Sequence, residues 1–139
     1  MARSSVQLNA SVDDAWVQLQ RLETWEGVAG IENLRDASHD AEGDLSSFRF
    51  TIDTAVGRVD GRAKVDGESP TMVIVGEQKG LAITISLTLR PDDDDRSLAR
   101  IEANSKATSF LSKPLELALN ALLDTGLDDE AAKIADRIH

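Results

Sequence analysis

KPLELALNALLDTGLDDEAAKIADRI, residues 113–138, is the stretch that decides how the rest of the chain is read. Leu115, Leu119, Leu123, Leu127, Ala131, Ile134 and Ile138 recur at steps of four, four, four, four, three and four. That spacing follows the helical period and draws one apolar stripe along the whole segment. Ser112 stands at the cap position, and Pro114 falls in the first turn, where its missing N–H is tolerated. Gly126 costs about 1 kcal/mol in a helix interior relative to Ala. Leu127 nevertheless stays in phase with Leu123 and Ala131, so one continuous helix is expected. At about 25 residues it would be about 37 Å long. An apolar stripe of that length needs a broad apolar surface to lie on.

The upstream sequence supplies that surface as strands. Val6, Leu8 and Ala10 alternate with Gln7 and Asn9. Ser11 offers a cap oxygen to a helix whose first turn carries Asp13 and Asp14, which suit the helix dipole. Val12, Ala15, Trp16, Leu19 and Leu22 give that helix one apolar face over about three turns. A second short helical piece spans residues 24–29, punctuated by Gly27 and Gly30. Residues 31–38 read as a weak strand. Residues 45–56 read as a strong one, with Phe48, Phe50, Ile52, Thr54 and Val56 on one face. Val59, Gly61, Ala63 and Val65 alternate after a turn at Gly57. Residues 72–77 form a buried-looking strand, and Gln78-Lys79-Gly80 a turn. Leu81, Ile83, Ile85, Leu87 and Leu89 alternate, as do Ala99, Ile101, Ala103 and Ser105. Connections this short join antiparallel neighbours. The expected fold is α+β: one domain over residues 1–139, with a seven-stranded antiparallel sheet around a long C-terminal helix and two short helices between strands 1 and 2.

Composition narrows the function classes. A net charge of −10, with 15 scattered basic residues, argues against nucleic acid, whose recognition depends on neutralising phosphates. It also disfavours an anionic membrane surface. No apolar run is long enough for a signal peptide or a membrane-spanning helix, so a cytoplasmic protein without stable membrane insertion is expected. The absence of cysteine removes disulfides and thiolate metal sites. The Asp92–Asp95 run follows Pro91 and lacks the spaced ligands and glycine of a calcium loop, so it reads as a solvated hairpin turn.

This order of elements resembles the START/polyketide-cyclase (SRPBCC) superfamily over essentially the whole chain. Three segments carry the resemblance. Ala10-Ser11-Val12-Asp13-Asp14-Ala15-Trp16 looks like that family's lead into its first helix, and Trp25-Glu26-Gly27-Val28-Ala29-Gly30-Ile31 like its second-helix exit. Residues 57–65 are similar to the central hairpin of small bacterial members, including the carbon-monoxide-dehydrogenase G-subunit-like branch. The resemblance implies a helix-grip fold with an apolar cavity between sheet and long helix. It further implies a lipid, quinone or polyketide-like ligand in some members and cyclase chemistry in others.

A search for chemistry on the inward strand face finds none. Alternation places no carboxylate, histidine or amine there, where an enzyme needs polar groups to move protons or stabilise charge. His39 falls in a polar loop and His139 at the chain end. No cofactor and no metal site is expected. The reading is a binding module, without visible catalytic residues, for a small hydrophobic molecule. Its expected pocket is bounded by Phe48, Phe50, Ile52, Val59, Ala63, Ile83, Ile85, Leu87, Leu119 and Leu123, with Trp25 near the mouth. Small residues at Gly61, Ala63, Ala99 and Ala103 leave room in that wall. A cyclase/dehydrase-like enzyme, or an accessory protein for metalloenzyme maturation, is the alternative, and a homodimer or a protein partner stays open.

Overall fold

A computed structural model describes residues 1–54, 57–78 and 80–139. The chain runs β1 (Ala2–Leu8), α1 (Val12–Leu19), α2 (Leu22–Trp25), a 3-10 turn (Val28–Gly30), β2 (Ile31–His39), β3 (Leu45–Thr54), β4 (Gly57–Asp66), β5 (Thr71–Gln78), β6 (Leu81–Asp93), β7 (Arg96–Ala107), a second 3-10 turn (Phe110–Ser112) and α3 (Lys113–Asp136). One seven-stranded sheet has the order β1-β7-β6-β5-β4-β3-β2. Every neighbouring pair is antiparallel. The expected inward position of Val56 and the turn position of Lys79 lie outside the described residues, as does the side chain of Thr54.

Strand register turns the alternating sequence into rows across the inner face. Phe48, Ala63, Gly76, Ile83 and Ser105 form one row, and Val65, Ile74, Ile85, Ala103 and Ala2 the next. The apolar members of these rows are buried and belong to a single continuous core. Trp16, on the apolar face of α1, joins that core, with its indole N–H donating to Asp44 Oδ1 at 3.2 Å.

Three local differences from the sequence reading have physical causes. The helix after Ser11 is capped as expected, Asp14 N donating to Ser11 Oγ at 3.2 Å, but it stops at Leu19. There the side-chain amide of Gln20 takes Trp16 O at 3.0 Å, the carbonyl a continuing helix would offer to the Gln20 backbone N–H. That N–H bonds Val17 O instead, and Gln20 Oε1 accepts from Leu45 N at 2.9 Å, so the side chain ties the helix end to β3. Strand β6 runs through Pro91 to Asp93, leaving only Asp94 and Asp95 in the hairpin turn. Beyond Thr88 the pairing of β5 with β6 has ended, so Pro91 withholds no N–H that β5 would need. His39 is the exposed last residue of β2 rather than part of a loop.

Helix α3 is continuous through Gly126, where an added Cβ would meet no atom within 4 Å. It lies across β1, β7 and the 3-10 turn at 28–30. The apolar stripe is unevenly buried along its length. Leu123, Leu127, Ala131 and Ile134 are buried, as is Ile138 just past the helix end, whereas Leu115 and Leu119 are only half-buried.

Candidate functional site

The inner faces of β3–β6 carry most of the residues expected to bound a hydrophobic pocket. Phe48, Phe50, Ile52, Ala63, Ile83, Ile85 and Leu87 share this wall and are buried, while Val59 at its end is half-buried. Phe48 and Phe50 meet edge to face, with centroids 6.3 Å apart. Small residues were expected to leave room here. At Gly61 the structure corrects that expectation: a Cβ on Gly61 would lie 2.4 and 2.6 Å from ring carbons of Phe50, and one on Gly76 would lie 3.2 Å from the same ring. Phe50 therefore occupies the depression that the two glycines make. The wall is packed as a core, in the way that close packing demands of a protein interior.

Trp25 stands apart from these strands, at the end of α2. Its indole is buried and its N–H donates to Leu19 O at 2.8 Å, so here it packs as core and does not face an open mouth. On α3, Leu123 is buried and Leu119 half-buried.

The two halves of α3 are held differently. The C-terminal half combines its buried apolar residues with polar ties to the N-terminal elements. Glu130 Oε2 accepts from Ala29 N at 3.0 Å, and Lys133 Nζ donates to Gly27 O at 3.1 Å. Arg137 donates to Glu23 O, Thr24 O and Glu26 O at 3.3, 3.1 and 2.6 Å. Ser4 Oγ on β1 donates to Asp128 Oδ1 at 2.5 Å.

The N-terminal half is joined to β7 chiefly by polar groups. Asn120 Oδ1 accepts from Ser105 N and Ser105 Oγ, and Asn120 Nδ2 donates to Ser105 O. Ser105 Oγ also lies 3.1 Å from Glu116 O. Glu116 Oε2 accepts from Ala107 N at 2.6 Å, and Glu116 Oε1 from Lys113 Nζ at 3.0 Å. The Ala107 amide first, then the Lys113 ammonium, hold the Glu116 carboxyl below its ordinary range. Beside this latch a shallow cleft of about 510 Å3 opens between Ala107, Phe110, Lys113 and Glu116.

Sequence reasoning missed Asn120 and Glu116 because it followed leucines only. The signal was present: Glu116, Asn120, Leu123 and Leu127 step by four, three and four, so the polar pair shares the sheet-facing arc of the helix.

On the strands, the buried side-chain oxygens of the inner face belong, among the described residues, to Ser4, Ser97 and Ser105. Ser4 and Ser105 are engaged by α3, and Ser97 Oγ has no partner among the described residues. No group of three His, Asp or Glu side chains placed to hold a metal occurs among the described residues. Among the described residues no helix is long and apolar enough to cross a membrane.

No protein family and no curated protein matches the chain by sequence. Solved structures do match it in shape. A START superfamily protein from Mycobacterium smegmatis superposes with a TM-score of 0.72 at 12% identity, covering 99% of this chain and 95% of that one. It has the START helix-grip fold. The Zhui aromatase/cyclase from a Streptomyces species shares that fold, with a TM-score of 0.65 and 11% identity over 98% of this chain and 88% of its own. A conserved protein from Geobacillus kaustophilus gives 0.64 and 16% identity over 96% and 91%. The likeness is to START and aromatase/cyclase proteins broadly and does not single out the carbon-monoxide-dehydrogenase G-subunit-like branch. Within that fold α3 packs on β1 and β7, and the inner rows of β3–β6 continue the sheet beyond β7.

Proposed function

We propose that this protein binds a small hydrophobic molecule, of lipid, quinone or polyketide-like chemistry, between the inner wall of β3–β6 and the N-terminal half of α3, without transforming it. The observation that carries the reading is the contrast between the two halves of α3. One half is fixed by buried apolar residues and ties to β1, α2 and the 3-10 turn at 28–30; the other rests half-buried against β7 and is latched there by Asn120 and Glu116. Lifting the latched half would open the core at the β7 side of the wall, where Ile83 stands opposite Ser105. A ligand burying about 300 Å2 of apolar surface gains roughly 7 kcal/mol. Opening the latch forfeits hydrogen bonds with a net worth of about 1 kcal/mol each.

The polar inventory favours a binding module over a cyclase. The inner-face serines offer no group that titrates near neutral pH, and two of the three are occupied by α3. The same reading takes the protein to be cytoplasmic, which cell fractionation tests.

The test uses an environment-sensitive apolar dye and native mass spectrometry of the purified chain. Saturable dye binding, or a retained apolar molecule, is expected. Leu119→Trp should fill the space and abolish binding with the fold retained. Asn120→Ala should strengthen binding by weakening the latch. Leu122→Glu, on the outer face, should leave it unchanged. Native protein that takes up neither dye nor ligand, or binding lost only in Leu122→Glu, defeats the reading.

A further inference from the structure

The outward face of α3 changes character half-way along the helix. Pro114, Leu117, Ala118, Ala121, Leu122 and Thr125 fall at i, i+3, i+4, i+7, i+8 and i+11, and all six are exposed. Leu117 is 61% and Leu122 57% exposed, and the adjoining 3-10 turn adds Phe110 at 92% and Leu111 at 89%. Thr125 turns its hydroxyl back onto Ala121 O and Leu122 O, so it too offers little hydrogen-bonding capacity outward. Isolated exposed apolar residues are ordinary, but a contiguous uncharged face along three turns of helix marks an interaction site. Past Thr125 the same side of the helix carries Asp129, Ala132 and Asp136, all exposed.

Two features of this face specify its occupant. Its side chains mirror one another in size about a point between residues 119 and 120. Small Ala118 and Ala121 flank the centre, Leu117 and Leu122 lie outside them, and Pro114 and Thr125 outside those. A two-fold axis beside that point sets Leu117 of one copy near Leu117 of the other on one flank and Leu122 near Leu122 on the opposite flank, with the alanines between them letting the helices approach closely. Such self-complementarity is the requirement of an isologous contact. The charges agree with it. Lys106 and Lys113 stand at the N-terminal end of the face, and Asp124 and Asp129 at its C-terminal end, all exposed. Antiparallel pairing sets the lysines of each copy beside the aspartates of the other, whereas parallel pairing would oppose like charges.

We propose that a second copy of this chain covers this face, pairing the N-terminal halves of two α3 helices antiparallel in a two-fold dimer. This rests on the outward face of α3 and is independent of any ligand beneath the helix. A few helical turns with Phe110 and Leu111 fall short of the roughly 800 Å2 per partner of a standard interface, so the dimer should be a weak one.

Sedimentation velocity and light scattering of the full chain over two decades of protein concentration test the proposal. The expected result is a monomer converting to a dimer as concentration rises. Leu117→Glu and Leu122→Glu, both at exposed positions, should keep the chain monomeric throughout while circular dichroism stays unchanged. Lys113→Glu with Lys106→Glu should raise the dissociation constant about threefold to tenfold. Adding Asp124→Lys and Asp129→Lys to the same chain should restore it, because the two-fold axis swaps both partners at once. A chain that is monomeric at every concentration overturns the proposal, as does a dimer that survives Leu122→Glu unchanged. A monomer that co-sediments with neutral phosphatidylcholine vesicles also overturns it, assigning the face to a lipid surface instead.

Discussion

Asn120 on α3 and Ser105 on β7 hold one another through three hydrogen bonds: Ser105 N and Ser105 Oγ donate to Asn120 Oδ1 at 2.8 and 3.1 Å, and Asn120 Nδ2 donates to Ser105 O at 3.1 Å. The pair extends the β7 edge with a side chain in place of a strand. Asn120→Ala leaves the Ser105 backbone groups without this partner in a partly buried setting. A loss of about 1–3 kcal/mol is expected from urea midpoints. Faster amide hydrogen exchange confined to residues 113–122 is expected alongside it. A variant with unchanged exchange in that segment would show that Asn120 does not latch the helix.

Leucines on the two halves of α3 should answer truncation differently. Leu127→Ala removes a buried side chain and should cost about 2–5 kcal/mol. Leu119→Ala acts at a half-buried position and should cost distinctly less, about 1–2 kcal/mol. Equal losses in thermal or urea unfolding would contradict the uneven hold on the helix.

Gly61→Ala tests the ring slot. The new Cβ would meet the Phe50 ring at 2.4 Å and Glu77 O at 2.9 Å, so strand or ring must shift. A destabilisation of about 1–3 kcal/mol is expected. Combining it with Phe50→Leu should recover part of that loss, since the two changes share one space. A strictly additive double mutant would place the clash at the Glu77 carbonyl.

Glu116 gives the latch a pH dependence. Its folded carboxyl titrates below the ordinary value of 4.5, chiefly through the Ala107 amide. The carboxylate's contribution is therefore complete above that value and disappears as pH falls through the lower, folded one. Between neutral pH and about 4.5 the contact should be constant; below that it should weaken, seen as movement of the Ala107 amide resonance. Glu116→Gln should flatten the change in stability across that acid range.

Much of this fold was legible because alternation and burial coincide. The run Leu81, Ile83, Ile85, Leu87 and Leu89 is buried at every second position, as its pattern implied. Gln20 was opaque, because nothing in its local sequence says that its amide will compete for Trp16 O. At the candidate site, alternation named the wall residues but not the volume between them. Gly61 was read as free space, and only the register that sets Gly61 opposite Phe50 reveals that a ring fills it. The period of α3 was legible, but its depth over the sheet was not. That depth depends on Glu116 and Asn120 reaching β7, a contact between elements that periodicity cannot express.

The position of β1 has a consequence for how the chain is made. This strand pairs only with β7; 89 positions separate Leu8 from Ser97, and 101 separate Ala2 from Ala103. The strands from β2 to β7 each follow their neighbour in sequence, so hairpins can close as they emerge during synthesis. Ala2–Leu8 has no such neighbour, and the helix that covers it follows all seven strands. The strand made before the other six is thus among the last that can be placed. Closure of the domain waits on a pairing of high sequence separation, the kind that slows folding.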